Sequence, residues 1–111
     1  MCLAEQTPEE SGFEKVYVFA SKRHNLPILR VLLGHPHGIG FNALQKACSA
    51  HGQITPRILS QRLKELEKQK LVSKGLVFGT PPKIEYRIQP KAEGLKKILE
   101  GMEEWGKKEL A

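Results

Sequence analysis

Aspartate is absent from this chain of 111 residues, and its twelve acidic side chains are all glutamate. None of those glutamates is placed beside a histidine in a catalytic arrangement, so the sequence reads as a non-enzyme. Cysteine is equally sparse. Cys2 and Cys48 make no disulfide framework, and a reducing cytoplasm is the expected setting. Aromatic residues are only 6% of the chain and most fall at core positions, which disfavours the stacking platforms that single-stranded RNA needs. No apolar run approaches the ~18 residues of a membrane span, and the longest, "PILRVLLG", is broken by Arg30. The opening "MCLAEQTPEE" is acidic and lacks the basic-then-apolar order of a secretory signal. "HGIG" has neither the spacing nor the preceding strand of a phosphate-binding glycine loop. Repeats, low-complexity stretches and domain linkers are missing too, so residues 1–111 are expected to form one domain.

What the chain does have is positive charge, and it is unevenly spread. The net charge is +6, yet residues 1–14 hold four Glu and no Lys or Arg. Residues 92–111 are close to neutral, with four Lys against five Glu. Residues 15–91 carry fourteen Lys or Arg against three Glu, a block of +11. Such a block attracts polyanions, because each neutralised phosphate releases condensed counterions. An acidic protein surface or anionic lipid would be drawn as well, so charge alone does not choose the partner.

Periodicity supplies the frame. After an N-terminal tail over residues 1–10, a helix is expected at 11–22. Ser11 and Glu14 are spaced as a capping box there, with Thr7 and Glu10 as a competing start. Asn25 is placed to cap a second helix, with Pro27 in its first turn and Ile28, Leu29, Leu32 and Leu33 facing inward. "GHPHGIG" breaks it. "FNALQKAC" is a short helix, with Asn42 and Gln45 in capping-box spacing. Thr55 and Pro56 then open the most regular helix of the chain, anchored by Leu59, Leu63 and Leu66 with Ile58 beside them. The helix-turn-helix would cover 42–69. A wing would cover 71–89, since "LVSKGLVF" and the strictly alternating "KIEYRI" flank the turn residues "GTPP" and predict a two-stranded hairpin. A last helix is expected over 91–108, weakened by Gly94 and Gly101. The fold class is mainly α with a small β-hairpin, an α+β winged helix-turn-helix.

On the capped helix, Arg57, Gln61, Lys64 and Lys68 point away from the leucines, with Ser60 at the margin. Arg can fork onto guanine, Gln can pair with adenine, and Lys can neutralise phosphate. Any solvated helix can show such a face. The acid count tips the balance, because the helix has only Glu65 and Glu67, both off this face. Lys74, Lys83 and Arg87 on the hairpin read as an extension of the same positive surface.

"FNALQKAC", "LSQRLKELEKQKLV" and "PPKIEYRI", at these spacings, resemble successive blocks of the HxlR-like family of winged-helix transcriptional regulators. The resemblance covers about residues 28–100. It implies a homodimer built by the terminal helices, with double-stranded DNA as partner and Thr55, Arg57, Ser60, Gln61 and Lys64 at the DNA. It places Lys83 and Arg87 in the wing. Three features depart from the family pattern. "SAHGQI" is a longer loop than usual, and the tryptophan-lysine pair of the first core helix is absent. The cysteine-proline pair that some members use as a redox switch is also missing, since Cys2 precedes Leu3.

Two apolar stripes are candidates for the dimer interface: Phe13, Val16, Tyr17 and Ala20 near the start, and Leu95, Ile98, Leu99, Met102 and Trp105 near the end. Together they exceed what one small core needs, although either could pack on the chain's own body. His35, His37, Cys48 and His51 include Cys-x-x-His spacing. No second cysteine pair completes a tetrahedral set, so neither metal nor cofactor is expected. Cys48 reads as a buried, inert thiol. The rival function is a winged-helix module that binds protein or RNA without reading DNA sequence.

Overall fold

The computed structural model describes residues 11–110, which leaves Cys2 and the alternative helix start at Thr7 outside the described residues. Helix α1 (Gly12–Ser21) begins as its capping residue dictates: Ser11 Oγ accepts the Glu14 N–H at 3.1 Å. A tight turn follows, in which His24 adopts a left-handed backbone with φ of 78°, and α2 (Asn25–Leu33) starts at once. Asn25 does not cap α2, contrary to its sequence pattern. It is the first helical residue and is buried, and its Nδ2 donates to the Phe19 carbonyl at 3.1 Å. The left-handed turn brings it against the last turn of α1, so it closes that helix instead of opening its own. Ile28, Leu29 and Leu32 are fully buried, whereas Leu33 is only half-covered. Beyond the helix, His35 Nδ1 donates to the Val31 carbonyl at 2.9 Å.

The segment that reads as a simple break contains a strand, β1 (Ile39–Gly40). Its two residues leave no alternation for a sequence pattern to reveal. Helix α3 (Phe41–Cys48) then starts from Gly40 and not from Asn42, so the Asn42–Gln45 capping box is not formed. Gln45 is used differently: its Nε2 donates to the Ile54 carbonyl at 3.1 Å and pins the loop that follows. That loop holds a 3-10 turn at Ser49–His51 and Gly52 at φ of +120°, a conformation that favours glycine.

Thr55 Oγ1 accepts the Ile58 N–H at 3.2 Å and opens α4 (Pro56–Lys68), with Pro56 at the first helical position where no N–H is missed. Leu59, Leu63 and Leu66 are buried along its inner side. The helix ends at Lys68, one residue before the expected end of the helix-turn-helix at residue 69, and Lys70 takes φ of 62°. The Leu71 N–H reaches back to the Leu66 carbonyl at 3.0 Å and the Lys70 N–H to that of Glu67 at 2.9 Å, satisfying two terminal acceptors.

Strands β2 (Val72–Val77) and β3 (Lys83–Ile88) form the expected hairpin, and β1 adds to β3, giving an antiparallel sheet of order β1-β3-β2. Ile39 pairs with Tyr86 and Gly40 with Glu85. The sheet is therefore three-stranded and not the two-stranded unit predicted. Pro90 initiates a 3-10 turn (Pro90–Ala92), and Gly94 has no side chain with which to cap. Helix α5 (Leu95–Glu109) accordingly begins four residues later than its expected start at Lys91. Side chains from α2, α3, α4, β2 and β3 meet in one core around Leu29, Leu44, Leu59, Leu63 and Tyr86. Each large one contributes about 1.5–3 kcal/mol on full burial, and together they hold α4 against the body.

Candidate nucleic-acid interface

With three leucines committed to the core, α4 has one orientation, and its opposite side is the candidate site. Arg57, Gln61, Lys64 and Lys68 are all exposed, Ser60 is half-buried, and Thr55 is exposed at the cap. No glutamate shares that side. Glu65 is drawn to the flank, where its Oε1 lies 3.2 Å from Arg62 and 3.6 Å from Lys22. Glu67 is half-buried on the other flank. Burial, together with the Glu67 charge, pushes the Tyr86 phenol above its ordinary pKa.

One flank of α4 makes a contact that no sequence pattern announces. Arg62 Nε donates to the Arg23 carbonyl at 3.2 Å, linking α4 to the turn between α1 and α2. The only local signal was Glu65 three residues after Arg62, a spacing that pairs side chains on a helix.

The wing divides its cations. Lys74 pairs with Tyr86 and Ser73 with Arg87, so Lys74 lies on the core-side face of the hairpin, while Lys83 and Arg87 lie on the other. The single positive surface expected of these three is not formed, because strand neighbours of opposite parity point to opposite faces. Arg87 also sits at the base of the wing. A Cβ built on Gly38 would stand 3.0 Å from its Nε, and Gly38 has φ of +102°, so this close approach requires glycine. Toward the tip the residues are apolar and uncovered: Leu76, Val77 and Ile84 are exposed, and Phe78 is 88% accessible.

The terminal stripes also split. Phe13, Val16 and Tyr17 are exposed, as is Val18, which the pattern missed; Ala20 is half-buried. The Phe13 and Tyr17 rings stack with centroids 6.3 Å apart. On α5, Ile98, Met102 and Trp105 are exposed, whereas Leu95 packs on the chain's own core and Leu99 is half-buried. The inner edge of that stripe thus packs in part on the chain's own body. A 3.0 Å ion pair between Arg30 and Glu103 holds α5 to α2.

Cys48 is fully buried in the core, and burial pushes its thiol up to about 11. His35 and His37 are exposed in the loop after α2, so these three do not share a site; the His51 side chain lies outside the described residues. Among the described residues no helix is long and apolar enough to cross a membrane.

A capped helix held outward by a leucine core, a preceding short helix, and a hairpin at its side define a winged helix-turn-helix domain. The chain belongs to the HxlR-like helix-turn-helix family, whose sequence profile matches residues 20–111. It is 40% identical over 81 residues to an HTH-type transcriptional regulator of Halalkalibacterium halodurans, covering 73% of this chain and 69% of that one. The solved structure of the reduced form of the transcriptional regulator YodB from Bacillus subtilis is similar, with a TM-score of 0.71 and 25% identity, covering 96% of this chain and 91% of that one. A protein described as a MarR-family transcriptional regulator from Porphyromonas gingivalis W83 shares the fold, with a TM-score of 0.80 and 22% identity, covering 95% of this chain and 98% of the other. The protein is therefore a transcriptional regulator of the winged-helix type, a class that works through DNA binding, and not an enzyme.

Proposed function

We propose that this regulator is a homodimer that reads a specific duplex sequence, with α4 in the major groove and the wing on the sugar-phosphate backbone. The outward side of α4 carries the reading. Arg57, Gln61, Lys64 and Lys68 stand exposed opposite three buried leucines, with no carboxylate among them to repel phosphate. Arg57 and Gln61 are the base readers, Lys64 and Lys68 neutralise phosphate, and Thr55 and Ser60 are at the DNA near the helix start. Lys83 and Arg87 serve the wing.

Dimerisation is supported by what the single chain leaves uncovered. Phe13, Val16, Tyr17, Ile98, Met102 and Trp105 are each more than half exposed, on the first and last helices. Fully withdrawing such side chains from water contributes about 1.5–3 kcal/mol each. A two-fold dimer would set two copies of α4 in successive major grooves, about 34 Å apart. Cytoplasmic action on a promoter follows from that role.

Selection of bound sites from random duplexes tests specificity and half-site spacing together. The expected product is a pseudo-palindrome with half-sites about one helical turn apart. Recovery of no preferred sequence, despite binding, would leave a non-specific module and overturn the proposal.

A further inference from the structure

We propose that the turn between α1 and α2 is a second DNA-gripping element, in which Arg23 contacts the phosphate backbone beside the groove that α4 enters. This rests on the duplex-binding reading above and adds a contact that the outward side of α4 does not supply.

The turn is fastened to the flank of α4. Arg62 Nε donates to the Arg23 carbonyl at 3.2 Å, Arg62 Nη1 meets Glu65 at 3.2 Å, and Lys22 Nζ meets the same carboxylate oxygen at 3.6 Å. One glutamate is thus shared by two cations, and among the described residues no carboxylate pairs with Arg23. The Arg23 backbone is held while its charge is left unneutralised. Its guanidinium lies over the loop: a Cβ built on Gly52 would stand 3.6 Å from Nη2. Gly52 lies in the loop that leads into Thr55, so this exposed cation rests beside the start of α4.

That position selects phosphate over bases. A helix lying in a major groove about 12 Å wide has a phosphate strand along each flank, and base edges lie only beneath its outward face. A cation whose main chain is held at the flank, off the outward face, meets the phosphate strand. The surroundings are electropositive enough to register in a neighbour: partial burial, then the Arg23 and Arg62 charges, lower the His24 pKa and favour its neutral ring. An anion there would relieve the crowding of like charge. Arg62, acting through the Arg23 carbonyl, is a positioning residue.

The test is titration of the full chain with its selected duplex and with an unrelated duplex, at several salt concentrations. Arg23→Ala should weaken both duplexes by the same factor and make the salt slope shallower by about 0.9, one phosphate contact. Arg23→Lys should restore the slope. Arg62→Ala keeps the Arg23 charge but frees it, and should weaken both duplexes without changing which is preferred. If Arg23→Ala keeps the wild-type slope, the phosphate contact is refuted. Should its affinity fall at unchanged slope with a lowered Tm, Arg23 merely braces the Gly52 loop, and the proposal falls too. A wild-type chain that binds no duplex would refute the underlying reading itself; wild-type binding with an indifferent Arg23→Ala refutes this contact alone.

Discussion

Lys74 and Tyr86 are direct cross-strand partners in the wing, which sets Lys74 on the face opposite Lys83. One DNA backbone strand can run along only one face of a narrow hairpin. Lys83 and Arg87 share the face turned away from the core, so that face is expected to carry the contact. Lys83→Ala should reduce the salt slope by about 1 and weaken all duplexes similarly, while Lys74→Ala leaves the slope unchanged. Equal reductions for both would mean that the tip is straddled and the assignment of faces is wrong.

Base reading and phosphate contact separate by a different measurement. Arg57→Ala or Gln61→Ala should cost about 1–3 kcal/mol on the selected site and relax preference at particular base pairs. Both side chains are exposed and outside the core, so Tm should stay within a degree or two. Competition with single-base variants of the site reads the outcome. A uniform loss across all variants would place Arg57 and Gln61 among the phosphate contacts.

Helix α4 was legible in the sequence for a physical reason: Thr55, Pro56 and the leucines at 59, 63 and 66 are local signals that agree with one another. Elements defined by distant partners were not. Strand β1 exists only because Ile39 and Gly40 pair with Tyr86 and Glu85, more than forty residues away. Asn25 and Gln45 both carry capping chemistry, yet tertiary partners at Phe19 and Ile54 claim their side chains. Leu95 and Ile98 look equivalent along the α5 stripe, but only the packed structure separates the inward residue from the outward one. The Arg62 link to the turn before α2 was not legible because its acceptor is a backbone carbonyl, and only the Glu65 spacing hinted at that flank.

The uncovered stripes lead to a prediction on assembly. Ile98 and Met102 are exposed in the single chain, so changing both to glutamate removes nothing from the chain's own core. The double variant should sediment as a monomer at concentrations where the wild type is a dimer, with its helical content retained. Its affinity for a full operator should fall toward that for a half-site, since the second copy of α4 is no longer tethered. Wild-type sedimentation as a monomer, or an unaffected double variant, would assign these stripes another role.

Cys48 yields a prediction in pH. Its side chain is fully buried, and its thiol is raised to about 11 from an ordinary value of 9.0. The folded state therefore holds the proton where the unfolded chain has begun to lose it. A group with a raised folded pKa contributes stability that is intact below the unfolded pKa and is lost as pH climbs toward the folded one. The loss should run between about pH 9 and 11 and approach 2–3 kcal/mol, at roughly 1.4 kcal/mol per pKa unit. Tyr86, whose pKa is also raised by burial and by Glu67, would add to the decline near its upper end. Chemical denaturation at pH 8, 9.5 and 10.5 should show a steeper fall for the wild type than for Cys48→Ala, although the variant starts lower because of the cavity it creates. Parallel profiles would mean that the Cys48 thiolate forms as readily in the fold as in the free chain, and that the core around Leu44 and Leu59 opens to water near this residue.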